Sequence, residues 1–139
     1  DEVHELIYKK SGLKGISGLT NDLRDILGAV KEGNHRAELA VKIFTRAVRK
    51  YILALSASLE GRIDAVIFTA GIGENSIDVR EMICDGLEII GAKIDKNKND
   101  FRSGERIIST DDSKVKIIVV PTNEELMIAL ETEKIAKAL

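Results

Sequence analysis

Residues 63–70 (IDAVIFTA) form a continuous apolar run that stops at Gly71-Ile72-Gly73. A run of this length, bounded by glycine, reads as a strand buried on both faces, the kind found in sheets covered by helices. A second such run, residues 115–120 (VKIIVV), ends at Pro121. Proline has no N–H with which to continue a central ladder, so it marks the strand end. Helical patterns precede the first run, lie between the two and follow the second. Helices first, then strand, helix, strand and helix, is an α/β layout with helices packed on a sheet.

Residues 1–10 (DEVHELIYKK) predict an amphipathic helix, with Val3, Leu6, Ile7 and Lys10 at helical spacing. The chain starts inside this pattern, on Asp1 and not on Met, which points to a fragment or a truncated chain. Residues 11–18 are rich in Gly and Ser and predict a loop or short strand. Thr20 or Asn21 is the expected N-cap of a short helix, with Asp22 and Asp25 in its first turn and Gly33-Asn34 at its end. A long helix is expected over residues 35–59. Its stripe of Leu39, Ile43, Ala47 and Ile52, beside Val41, Val48 and Leu55, is apolar enough to be largely buried, and Gly61 stops it. Ser76 caps a helix over residues 77–90, with Gly86 weakening its interior. Residues 95–105 are polar and turn-rich, residues 106–109 predict a short strand, residues 111–113 a turn, and residues 124–139 the last helix.

Composition narrows the function classes. A length of 139 residues suits one domain. The net charge is −2, from 21 basic and 23 acidic side chains spread along the chain, with no basic block to hold nucleic acid. No apolar run is long enough to cross a bilayer, and no signal-peptide pattern is visible. The single cysteine, Cys84, has no internal disulfide partner, which favours a cytoplasmic setting. It falls among apolar helix positions and reads as a packed, inert thiol. His4 and His35 lack metal-ligand spacing and read as surface residues.

In α/β sheets, ligands bind beyond the carboxyl ends of strands. Two segments sit there: residues 71–75 (GIGEN) and residues 122–125 (TNEE). Gly71 and Gly73 permit positive backbone torsions and close approach of a ligand to the main chain. The N-terminus of the following helix offers unpaired N–H groups to a phosphate. The same glycines also suit a tight strand-to-helix turn with no ligand. The segment matches neither the Walker nor the dinucleotide pattern.

Residues 68–76 (FTAGIGENS) resemble a motif of the acetate kinase (acetokinase) family. Residues 15–25 (GISGLTNDLRD) and 121–126 (PTNEEL) resemble two more, in the order and spacing of that family's C-terminal third. The resemblance covers nearly the whole chain, and three separated motifs make chance agreement remote. Propionate kinases share these elements, whereas butyrate kinases fit less well. The resemblance implies a ribonuclease-H-like fold of the actin, sugar-kinase and heat-shock-chaperone superfamily, with a mixed sheet flanked by helices. It implies that residues 1–139 are a single C-terminal nucleotide-binding domain of a two-domain kinase. The implied reaction is reversible transfer of the γ-phosphoryl of ATP to acetate, giving acetyl phosphate and ADP, with Mg²⁺.

The resemblance also assigns residues. Asp22, Leu23 and Arg24 form the adenosine-contacting segment, with Asp22 accepting from the adenine amino group or ribose and Arg24 stacked on the base. Gly71, Ile72, Gly73, Glu74 and Asn75 complete the nucleotide pocket. Glu124 is the Mg²⁺ carboxylate, in keeping with a metal that takes few carboxylates plus phosphate oxygens. On the residues alone, Asp22 and Arg24 read as a helix-start acid and a surface arginine rather than as ligand contacts, and Glu124 is not separable from Glu125. The family's catalytic Arg, His and Asp residues and its acetate pocket lie upstream of such a segment, so no catalytic residue is expected in this chain. A homodimer is the family's expected assembly. A non-catalytic dimerisation or interaction domain is the alternative from another class.

Overall fold

The structure, a computed structural model, describes residues 2–60, 62–101 and 104–138. Helix α1 (Glu2–Glu5) widens into a π-helical turn, Leu6–Lys10. Helices α2 (Gly12–Ser17), α3 (Leu23–Lys31) and α4 (His35–Ala57) follow. Strand β1 (Ala65–Phe68) leads into α5 (Ala70–Asn75), α6 (Ile77–Cys84), a 3-10 turn at Leu87–Ile90 and α7 (Lys96–Asn99). Strands β2 (Arg106–Ile107) and β3 (Lys116–Val119) and helix α8 (Glu124–Ala138) complete the chain.

The sheet is mixed, in the order β1-β3-β2. β1 and β3 are parallel, with Phe68 opposite Val119, and β2 is antiparallel to β3, with Ile107 opposite Ile118. A parallel pair needs a crossover connection, and the helices after β1 supply it. Ile117 and Val119 of β3 join Phe68 of β1, Leu23 and Ile26 of α3, Ala40 and Val41 of α4, and Val79 and Ile83 of α6 in one core. Cys84 is fully buried in that core, and burial pushes its thiol pKa up to about 12, as expected of an inert thiol.

Several expectations are corrected. Residues 11–18 are not a loop or strand, because Gly12–Ser17 forms helix α2. The cause is long-range: Arg36 on α4 donates from Nε to the Ile16 carbonyl (2.9 Å) and from Nη2 to the Gly15 carbonyl (3.2 Å). These carbonyls lie at the C-terminal end of α2, where helical partners run out. The cap of α3 is Asp22 itself, which accepts from the Arg24 N–H, while Thr20 Oγ1 accepts from the Asp22 N–H.

Helix α4 ends at Ala57, and Gly61, the expected stop, lies outside the described residues, as do Asp1 and Leu139 at the ends of the expected first and last helices. Its buried face is Ala37, Ala40, Val41 and Thr45, whereas Leu39, Ile43 and Leu55 are exposed. The helix is therefore less buried than its apolar content suggests, and its core face is rotated toward the small residues. Residues 77–90 are not one helix. Gly86, at φ 96°, takes a left-handed conformation that ends α6 and starts the 3-10 turn. β1 is shorter than the apolar run and lies at the sheet edge, so Ile67 on it is 59% exposed and the run is not buried on both faces. The polar segment after Ile94 contains α7, capped by Asp95, which accepts from the Asn97 and Lys98 N–H groups.

Candidate functional site

The segment after β1 is a short helix, α5, and not an open glycine loop. The positive backbone torsion falls on Ala70 (φ 59°) and not on Gly71 or Gly73. What Gly73 supplies is close approach: a Cβ there would lie 3.2 Å from the Phe68 carbonyl carbon. Asn75 Nδ2 donates to the Gly71 carbonyl at 2.9 Å, and Glu74 Oε1 accepts from the Thr122 N–H (3.0 Å) and hydroxyl (3.2 Å). Glu74 thus ties the end of β1 to the segment after β3, bringing the two strand-end segments together.

A cleft of about 910 Å³ opens between α3 and the α5–α6 junction. Asp22, Leu23, Arg24, Gly71, Ile72 and Asn75 line it, whereas Gly73, Glu74 and Glu124 do not. Gly73 packs on Phe68 and Glu74 faces Thr122, so both shape the wall from behind. The cleft's volume falls in the range of small-molecule pockets. Asn21, Leu27, Gly28, Lys31, Ser76, Ile77, Asp78 and Asp100 also line it; the sequence offered Asn21 and Ser76 only as helix caps and none of the eight as a binding residue. For α3 a signal existed: Arg24, Leu27, Gly28 and Lys31 follow helical spacing and mark one face.

The polar groups of this cleft are specifically arranged. Arg24 Nε and Nη2 donate to Asp22 Oδ1 (3.1 Å) and Oδ2 (2.6 Å), a fork-to-carboxylate pair. The side-chain hydrogen bond from Arg24 holds the Asp22 carboxyl down at about 2. The pair therefore stays ionised across the physiological range. The Arg24 side chain is 89% exposed, so its planar faces remain accessible. On the opposite wall, Ser76 precedes α6 without a side-chain capping bond, leaving first-turn N–H groups of α6 uncapped beside Ile77 and Asp78.

Glu124 begins α8 and is exposed, with no ion pair among the described residues. No group of three or more His, Cys, Asp or Glu side chains suited to a metal occurs among the described residues. A single open carboxylate fits Mg²⁺ only when phosphate oxygens and water complete the shell.

Residues 1–130 match the family model of the Acetokinase family. The chain belongs to that family. Acetate kinase from Alkaliphilus metalliredigens is 50% identical over 135 residues, which cover 97% of this chain and 34% of that protein. The crystal structure of Porphyromonas gingivalis acetate kinase superimposes with a TM-score of 0.89 and 44% identity, over 96% of this chain and 34% of that one. A propionate kinase from Francisella tularensis gives a TM-score of 0.82 and 38% identity, over 92% of this chain and 32% of that one. The chain spans about a third of the length of the curated relatives it matches. The mixed sheet with helices packed on it is therefore the ribonuclease-H-like α/β fold of the acetokinase family.

Proposed function

We propose that this chain is the C-terminal, adenine-nucleotide-binding domain of an acetate kinase, a cytoplasmic enzyme that reversibly transfers the γ-phosphoryl of ATP to acetate with Mg²⁺. The observation that carries the reading is the cleft that joins Asp22, Leu23 and Arg24 to Gly71, Ile72 and Asn75 beyond the carboxyl end of β1. In this reading the adenine lies against the Arg24 guanidinium face and the apolar atoms of Leu23 and Ile72. Asp22 holds the guanidinium in plane. The phosphates run toward the uncapped start of α6, whose N–H groups and partial positive charge favour anions. Glu124, at the start of α8 and outside the cleft lining, would supply a carboxylate to Mg²⁺ bound to those phosphates.

Calorimetric titration of the chain with ADP and Mg²⁺ tests this. Binding is expected, and Arg24→Ala is expected to weaken it by roughly 2- to 30-fold, the loss of a cation–π contact of about 0.5–2 kcal/mol. Glu124→Ala is expected to reduce mainly the Mg²⁺ dependence. Absence of heat at millimolar ADP would count against the reading. Acetate and propionate kinases share this fold, as the Francisella propionate kinase shows. Acyl preference is assigned in this reading to parts of the kinase outside these residues.

Self-association belongs to the same reading. Leu126, Met127, Ile128, Leu130 and Ile135 on α8 are all exposed, an apolar display on one helix that is unusual for a monomer's surface. Sedimentation velocity is expected to show a dimer. A monomer at every concentration tested would remove the dimer from the reading.

A further inference from the structure

Helix α5 is six residues long, far below the length at which a helix stands alone in water. It nevertheless presents Gly71, Ile72 and Asn75 to the cleft. Something outside α5 must therefore hold it. Arg80 on α6 is completely buried, the largest of the fully buried side chains. Its Nη1 donates to the carbonyls of Gly73 (2.9 Å) and Glu74 (2.8 Å) at the C-terminal end of α5. Its Nε donates to Asn99 Oδ1 (2.6 Å), and its Nη2 to the carbonyls of Asn99 (2.9 Å) and Phe101 (3.0 Å). The guanidinium carbon lies 5.2 Å from the centre of the Phe101 ring. No carboxylate pairs with Arg80 among the described residues. A buried cation is costly unless it is paired or fully hydrogen-bonded. Here carbonyl and amide oxygens alone satisfy it, and their positions are fixed by it in turn. The residue after Asn99, Asp100, lines the same cleft.

We propose that Arg80 is a positioning residue for the nucleotide cleft, a buried clamp that fastens the end of α5 to the 99–101 segment and so sets the wall formed by Gly71, Ile72, Asn75 and Asp100. The consequence for binding rests on the nucleotide reading of the cleft, whereas the clamp itself does not. Arg80 touches no ligand in this scheme and acts through main-chain atoms of α5. Its fork geometry is essential, because a lysine ammonium is a point charge and cannot span acceptors on both segments.

The test uses the 139-residue chain with two variants, Arg80→Lys and Asn99→Ala. Amide hydrogen exchange is followed at residues 70–76 and at β3, and ADP affinity is measured with Mg²⁺. In Arg80→Lys, exchange at 70–76 is expected to rise by about tenfold or more while β3 stays within about twofold, a local opening and not a global one. ADP affinity is expected to fall by about tenfold in parallel. Asn99→Ala keeps the guanidinium and its carbonyl partners and is expected to shift both quantities less, in the same direction. If Arg80→Lys does not fold, Asn99→Ala decides. Unchanged exchange at 70–76, or a rise equal to that in β3, overturns the clamp. Local exchange that rises in a chain binding no ADP sustains the clamp and overturns the nucleotide reading separately.

Discussion

Purified by itself, the 139-residue chain is expected to form no acetyl phosphate from ATP and acetate, at least about 10⁵-fold below a complete acetate kinase. The magnitude follows from what phosphoryl transfer requires. Its catalysis comes almost wholly from holding donor and acceptor in line and neutralising charge on the transferred group. Loss of that approximation removes roughly 7–11 kcal/mol of barrier lowering. Among the described residues, the cleft is lined by two cationic side chains, Arg24 and Lys31, and Arg24 is already paired with Asp22. Asp78 and Asp100 line the same walls and repel a phosphoryl group that lacks a metal or further cations. His35 is exposed at the start of α4 and absent from the cleft lining. Trapping acetyl phosphate as its hydroxamate measures the rate. Product above background would show that the chain carries an acceptor site and a cation set of its own, and would end the division of labour proposed here. ADP binding without turnover is the expected combination.

The path from residues to this cleft was only partly visible beforehand, and the reason is the range of the forces involved. Local signals carried over. Pro121 closes β3, Gly33-Asn34 follows the end of α3 at Lys31, and the apolar runs around Val66 and Ile117 both became strands. Signals that depend on distant partners did not. Three arginines each satisfy the last carbonyls of a different helix: Arg36 at α2, Arg80 at α5, and Arg49, which donates to the Met82 and Ile83 carbonyls at α6. Two of these pairings, from Arg36 and Arg49, span twenty or more residues. Arg80 reaches back only six or seven residues to α5, but its other partners lie nineteen or more residues ahead. Nothing in the local pattern around Gly12, Gly15, Gly71 or Gly73 announces them. Glycine-rich stretches that read as loops therefore became helices, because the carbonyls that a loop would expose to water are met by guanidinium groups. The site followed the same division. The resemblance placed Asp22, Leu23, Arg24, Gly71, Ile72 and Asn75, which share the cleft, but gave no hint that Gly73 and Glu74 face away from it.

Stability of the cleft is expected to hinge on β3. Ile117→Ala should destabilise the chain by about 2–5 kcal/mol, the range for truncating a fully buried isoleucine, measured as the shift of the urea midpoint at constant slope. Ile117 is completely buried on the middle strand, with β1 on one side and β2 on the other, so the sheet has little room to collapse into the cavity. Native domains are stable by only about 5–15 kcal/mol, so one such change removes a large part of the margin. Ile67 is the internal control. It lies opposite Ile118 in the same sheet but is 59% exposed at the edge, and Ile67→Ala is expected to cost less than about 1 kcal/mol. Equal effects at the two positions would mean that the Ile67 face of β1 is covered in solution, for instance by self-association. The loss at Ile117 should also reach function. β3 delivers Thr122 to Glu74, and Glu74 anchors the turn whose neighbours form the cleft wall. ADP affinity in Ile117→Ala is therefore expected to collapse with the folded fraction across the urea transition, whereas Arg24→Ala weakens binding while leaving the midpoint where it was.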